Sequence, residues 1–158
     1  NASGTAVVLE IARAAAPKSR ELGACFATFG AEEEGLFGSR HFVATLKPEE
    51  RASLRAMINY DMVGVGDQWK LIGSGELVEL GLAEAQSLGI EAGPFQLPSG
   101  LGSDHESFIR AGIPALFLHR LEDPRYHTPE DRPRYVEPQA LAEAGRLGLR
   151  LLERLAGP

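Results

Sequence analysis

The order of apolar runs along the chain predicts an α/β domain, a central sheet flanked by helices. Three observations carry that prediction. Compact apolar runs at 22–29, 56–63 and 114–118 alternate with amphipathic stretches of helical period at 3–16, 76–88 and 138–156. A length of 158 residues suits one domain over 1–158. Hydrophobic residues at 44% are enough for a core, and 24% charged residues keep the chain within the globular range.

Each element has its own signal. In the first helix Gly4, Val7, Val8, Ile11, Ala14 and Ala15 share one face; Asn1 or Ser3 can cap it and Pro17 ends it. Leu22–Phe29 reads as a buried strand, followed at once by Glu32-Glu33-Glu34 and Gly35. A helix is expected over 39–46, stopped near Pro48, and then a buried strand over 56–63 with one charge, Asp61. A turn leads into a short strand around Trp69-Lys70-Leu71-Ile72, and a helix over 76–88 ends at Gly89. The Gly-, Pro- and Ser-rich stretch 95–102 is a loop, 104–111 is helical, and 114–118 is a strand. After a charged loop, 122–134, the last helix runs over 138–156, with a stripe of Leu141, Ala144, Gly145, Gly148, Leu151, Leu152 and Leu155.

Charge and cysteine content exclude several classes. Sixteen basic residues against 22 acidic ones leave a net charge of −6, contrary to the basic surface that nucleic acid or an anionic membrane requires. No apolar run approaches the roughly 18 residues of a membrane span. The single Cys25 excludes an internal disulfide framework and any multi-cysteine zinc site. An opening on Asn1-Ala2-Ser3-Gly4 reads as the interior of a longer polypeptide.

Ligands of α/β sheets bind beyond the carboxyl ends of the strands. The polar residues there are Glu32 and Glu33 after the first predicted strand, Asp61 on the second, and His127 in the loop after the last. Carboxylates and an imidazole are oxygen and nitrogen donors that zinc accepts. Taken singly, each has a plainer explanation: a solvated acidic loop, a turn aspartate, an exposed loop histidine.

The motifs in order say more. Asn1-Ala2-Ser3-Gly4-Thr5, Ala31-Glu32-Glu33-Glu34-Gly35-Leu36-Phe37-Gly38-Ser39 and Asn59-Tyr60-Asp61-Met62-Val63-Gly64 come first. Ser103-Asp104-His105, Gly112-Ile113-Pro114-Ala115 and Tyr126-His127-Thr128 with Asp131 follow. Together they resemble the M28 family of co-catalytic zinc aminopeptidases, relatives of the glutaminyl cyclases. The resemblance implies a mixed, largely parallel central sheet. With the register fixed by Gly35-Leu36-Phe37-Gly38-Ser39, it makes Glu32 the general base, Glu33 and His127 ligands of one zinc, and Asp61 a ligand of the second. It also places Asp104 and Tyr126 near the substrate, which would be a peptide with a free N-terminus.

The same resemblance implies that a His and a metal-bridging Asp lie just upstream of Asn1, so two zinc ions would find an incomplete ligand set here, and that opening strands of the sheet are missing. Export to the periplasm or outside the cell is the family-level expectation. Two other functions fit parts of the pattern: a glutaminyl cyclase-like acyltransferase, and a non-catalytic module of the same fold.

Overall fold

The computed structural model describes residues 1–18 and 23–156. Helix α1 (Ala2–Ala15) starts at the Asn1 cap, whose side chain accepts from the Gly4 amide at 2.9 Å, and closes in a single 3₁₀ turn, Ala16–Lys18. Helix α2 (Phe37–Thr45) follows a left-handed Leu36 and begins two residues earlier than its composition suggests. That helix stops short of Pro48 as expected, and Pro48 itself is the first residue of a short helix, α3 (Pro48–Ser53). There Glu50 accepts from the Lys47 amide at 2.8 Å.

Strands β1 (Met57–Tyr60), β2 (Trp69–Gly73), β3 (Ala92–Pro94) and β4 (Ala115–Arg120) form one sheet in the order β1-β4-β2-β3. The β1–β4 and β2–β3 pairs are parallel and β2–β4 is antiparallel, giving the mixed, mostly parallel sheet. The remaining helices are α4 (Gly75–Ser87), α5 (His105–Arg110) and α6 (Pro138–Ala156), the last with its expected bounds.

One expected strand does not form. Leu22 lies outside the described residues, and 24–29 join no ladder and lie mostly exposed rather than buried, because an apolar run is buried as a strand only where a neighbouring strand pairs with it. Phe29 instead packs against Phe42 and Phe108, with ring centroids 5.5 and 6.0 Å apart, while Cys25 and Phe26 remain exposed.

Every residue of β4 is buried, so it is the axis of the core. On one face Leu71, Leu116 and Leu118 pack with Val7 and Ile11 of α1, Leu77 of α4, and Ala144, Leu147 and Leu151 of α6. Val43, Phe108, Ile113 and Ala115 make a second cluster, contributed by α2, α5 and the start of β4. The sheet is thus held between helices, and because β1 and β4 are parallel their carboxyl ends open on one edge. Asp61 follows one end and the loop bearing His127 follows the other.

Candidate metal centre

Three turns bring the candidate residues together. The first is closed by Phe37 N to Ala31 O and Gly38 N to Gly30 O, both 3.1 Å, with Ala31 and Leu36 in left-handed conformations. A Cβ on Gly38 would lie 2.6 Å from the Gly30 carbonyl oxygen, so the loop can close only on a glycine. This leaves Glu32 half-buried and Glu33 and Glu34 exposed.

The second turn holds Asp61. Its amide donates to Leu118 O at 3.4 Å, and its carbonyl meets His119 Nδ1 at 3.0 Å. Met62, next in line, has φ +55° and donates its amide to Asn1 Oδ1 at 3.4 Å. The Asn1 side chain also donates to Tyr60 O at 2.7 Å, which seats the start of α1 beside this turn. In the third turn Thr128 N and Oγ1 both bond Arg125 O, at 2.9 and 2.7 Å, and His127 has φ +58°.

Glu33 and His127 meet, Oε1 to Nε2, at 2.7 Å. The Tyr126 and His127 rings stack with centroids 3.8 Å apart. Burial pushes the Glu32 carboxyl up to about 7, helped by the negative charges of Asp61, Glu33 and Asp104 and opposed by the α-amino group of Asn1. Tyr126 is shifted upward too, by burial and then by Glu33, Asp61 and Glu32. The structure therefore brings Glu32 within electrostatic reach of Glu33, Asp61, Asp104 and Tyr126, and His127 into contact with Glu33 and Tyr126.

Asp104 stands at the N-cap position of α5 yet makes no side-chain cap bond, and its Oδ1 is buried without a partner. Burial raises its pKa against a hydrogen bond from Ser39, and Asp61 raises it further. His105 and His119 are buried beside Phe117, whereas His41 is exposed. Sequence reasoning passed over Asn59 and Ser103: Asn59 Nδ2 donates to Ser103 Oγ at 2.8 Å, and Ser103 Oγ donates to Asp61 Oδ2 at 2.9 Å. The available signal was a lone amide in an otherwise apolar or aromatic strand, Met57-Ile58-Asn59-Tyr60.

Among the described residues, no group of three or more His, Cys, Asp or Glu side chains stands in metal-binding geometry, and no Lys or Arg forms an ion pair with Glu32, Glu33, Asp61 or Asp104. Carboxylates that repel one another, beside an imidazole in contact with one of them, are a donor set that suits a divalent cation. Fold and site thus define an α/β domain with an acidic, imidazole-bearing strand-end centre.

Comparison with known proteins places it further. The model of peptidase family M28 matches residues 1–152, and the chain belongs to that family. It is 35% identical to aminopeptidase YwaD of Bacillus subtilis over 165 aligned positions, covering 93% of this chain and 35% of that protein. The aminopeptidase of Aneurinibacillus sp. strain AM-1 superposes with a TM-score of 0.84 at 30% identity, over 100% of this chain and 39% of the other. BSAP, a zinc aminopeptidase of Bacillus subtilis, superposes at 0.81 with 29% identity, over 98% and 41%. The chain thus spans well under half the length of these relatives. No helix among the described residues is long and apolar enough to cross a membrane.

Proposed function

We propose that this chain is the larger part of the peptidase domain of a zinc aminopeptidase, and that Glu32 is its general base. The observation that carries the reading is the meeting of Glu33 and His127 at the strand edge that also bears Asp61, with the half-buried Glu32 beside them. Membership of M28 and the aminopeptidase names of its relatives support the same conclusion.

In this reading Glu33 and His127 hold one zinc ion and Asp61 a second. The remaining ligands, a His and a bridging Asp, come from a segment preceding Asn1; the seat of Asn1 against the Tyr60 carbonyl, beside the Asp61 turn, supports this. Bound zinc supplies Lewis-acid polarisation of the scissile carbonyl and acidification of water. Glu32 takes a proton from the attacking water and returns it to the departing amine. Tyr126, stacked on His127, lines the approach, and Asp104 holds a positioning role behind it. The substrate is a peptide with a free N-terminus, and export to the periplasm or cell exterior belongs to the same reading.

The test uses the full-length polypeptide and amino-acid 4-nitroanilides. Glu32→Gln is expected to lower kcat about 10³-fold while zinc content stays at the wild-type level. Unchanged turnover in that variant would remove Glu32 from the reaction. Conversion of an N-terminal glutaminyl peptide to its pyroglutamyl form with release of ammonia, and no free amino acid, would reassign the domain to acyl transfer.

A further inference from the structure

Asp61 has a backbone already fixed: its amide bonds Leu118 O, its carbonyl meets His119, and the following residue is locked in a left-handed turn. What remains to be set is the direction of its carboxylate. That direction is governed by two buried polar side chains with no other assigned role. Ser103 is 2% exposed and Asn59 8% exposed.

The hydrogen-bond chemistry here has one solution. An ionised carboxylate only accepts, so Ser103 must give its single proton to Asp61 Oδ2, 2.9 Å away. Ser103 Oγ can then only accept from Asn59, 2.8 Å away, which requires the NH₂ end of the amide to face it. With the amide reversed, two acceptors would compete for one proton and one short contact would be repulsive. Asn59 therefore aims the Ser103 proton. An apolar residue in a strand facing Phe117 across β4 would cost less to bury, and the amide is tolerated because both ends of the relay are satisfied.

We propose that Asn59 is a positioning residue for Asp61: through Ser103 it holds Oδ2 in a charge-assisted hydrogen bond and leaves Oδ1 as the donor for a cation. The inference rests on the zinc reading above. It predicts that Asn59, which faces neither substrate nor cation, controls metal affinity at a distance of two hydrogen bonds.

The experiment measures zinc dissociation constants of the full-length polypeptide by chelator competition, with the melting temperature of each metal-free variant alongside. Asn59→Leu and Ser103→Ala should each weaken zinc about 10- to 100-fold, the range for groups that orient a ligand. The double variant should bind zinc no more weakly than Ser103→Ala alone, because Asn59 acts only through that hydroxyl. Wild-type affinity in Asn59→Leu, or losses that multiply in the double variant, overturns the proposal. If Asn59→Leu does not fold, Asn59→Asp carries the test. Its carboxylate cannot donate to Ser103, so zinc should weaken despite the added negative charge, and undiminished affinity is the overturning result. A wild-type protein that takes up no zinc overturns the zinc reading and this role with it, and that outcome is read from the wild-type sample alone.

Discussion

Glu143 on α6 and Glu32 in the loop before α2 are both glutamates partly withdrawn from water, in two regions that treat charge in opposite ways. Burial alone would raise Glu143, but hydrogen bonds from Trp69 and Gln139 and the positive charge of Arg120 outweigh it and hold the carboxyl below its usual range. Glu32 is raised by burial and raised again by each of three neighbouring carboxylates. Around Arg120 every charge has an opposite partner; at the strand ends like charges are collected. The first arrangement ties α6 to β2 and β4, whereas the second opposes folding in the metal-free protein.

Arg120→Met tests the paired region and should have the largest effect on stability. The guanidinium bonds the Gly66 carbonyl, meets Glu137 at 3.1 Å and Glu143 at 3.8 Å, and lies 5.1 Å from the Trp69 ring. Removing it leaves Glu143 half-desolvated without its cation, a change that costs about 3 kcal/mol. Urea unfolding of the metal-free protein measures this, and an unchanged midpoint would mean that pairing is not what secures α6.

Asp61→Asn tests the unpaired region and should act with the opposite sign. It removes one of the charges that raise Glu32 and keeps an acceptor for Ser103. The metal-free protein should gain about 1 kcal/mol, as at other sites where function is held against stability, while losing zinc uptake. A destabilised Asp61→Asn would show that repulsion at the strand ends is already compensated.

The pH dependence of stability sharpens the same contrast. Glu32 titrates near 7 in the folded metal-free protein, against 4.5 as its ordinary value, so between these limits the native state binds more protons than the unfolded one. Its stabilising contribution is complete below about 4.5 and is lost as pH rises through 7. The melting temperature of wild type relative to Glu32→Gln should therefore decline from pH 5 to pH 7.5. A flat difference would mean that Glu32 is ionised throughout that range.

Much of this division was legible in the residues. The period of α6 and the Gly89 stop after α4 put those helices in place, and ordered motifs picked out Glu32, Glu33, Asp61 and His127. Strand direction was not legible, since hydropathy is the same whether β2 runs with β4 or against it. β3 escaped because Ala-Gly-Pro is poor strand material and pairs only at a sheet edge. The burial stripe of α6 kept Ala144, Gly148 and Leu151 but takes in Ala140 and Leu147 where Leu141 and Leu152 were expected, because the helix packs against both α1 and α4. Asn59 and Ser103 were given no role for a different reason: their importance lies in hydrogen bonds to residues more than 40 positions away.

The smallest predicted effect separates the two kinds of contact most cleanly. Glu33 and His127 touch at 2.7 Å, closer than Arg120 to either of its glutamates, yet their side chains are 64% and 57% exposed against 8% for Arg120. In water a short contact contributes little, because each partner is nearly as well solvated alone. His127→Ala should therefore change metal-free stability by less than about 0.5 kcal/mol, while abolishing the rise in melting temperature that zinc produces in wild type. If His127→Ala instead costs as much as Arg120→Met, the pair belongs to the scaffold, and the assignment of Glu33 and His127 to a cation loses its main support.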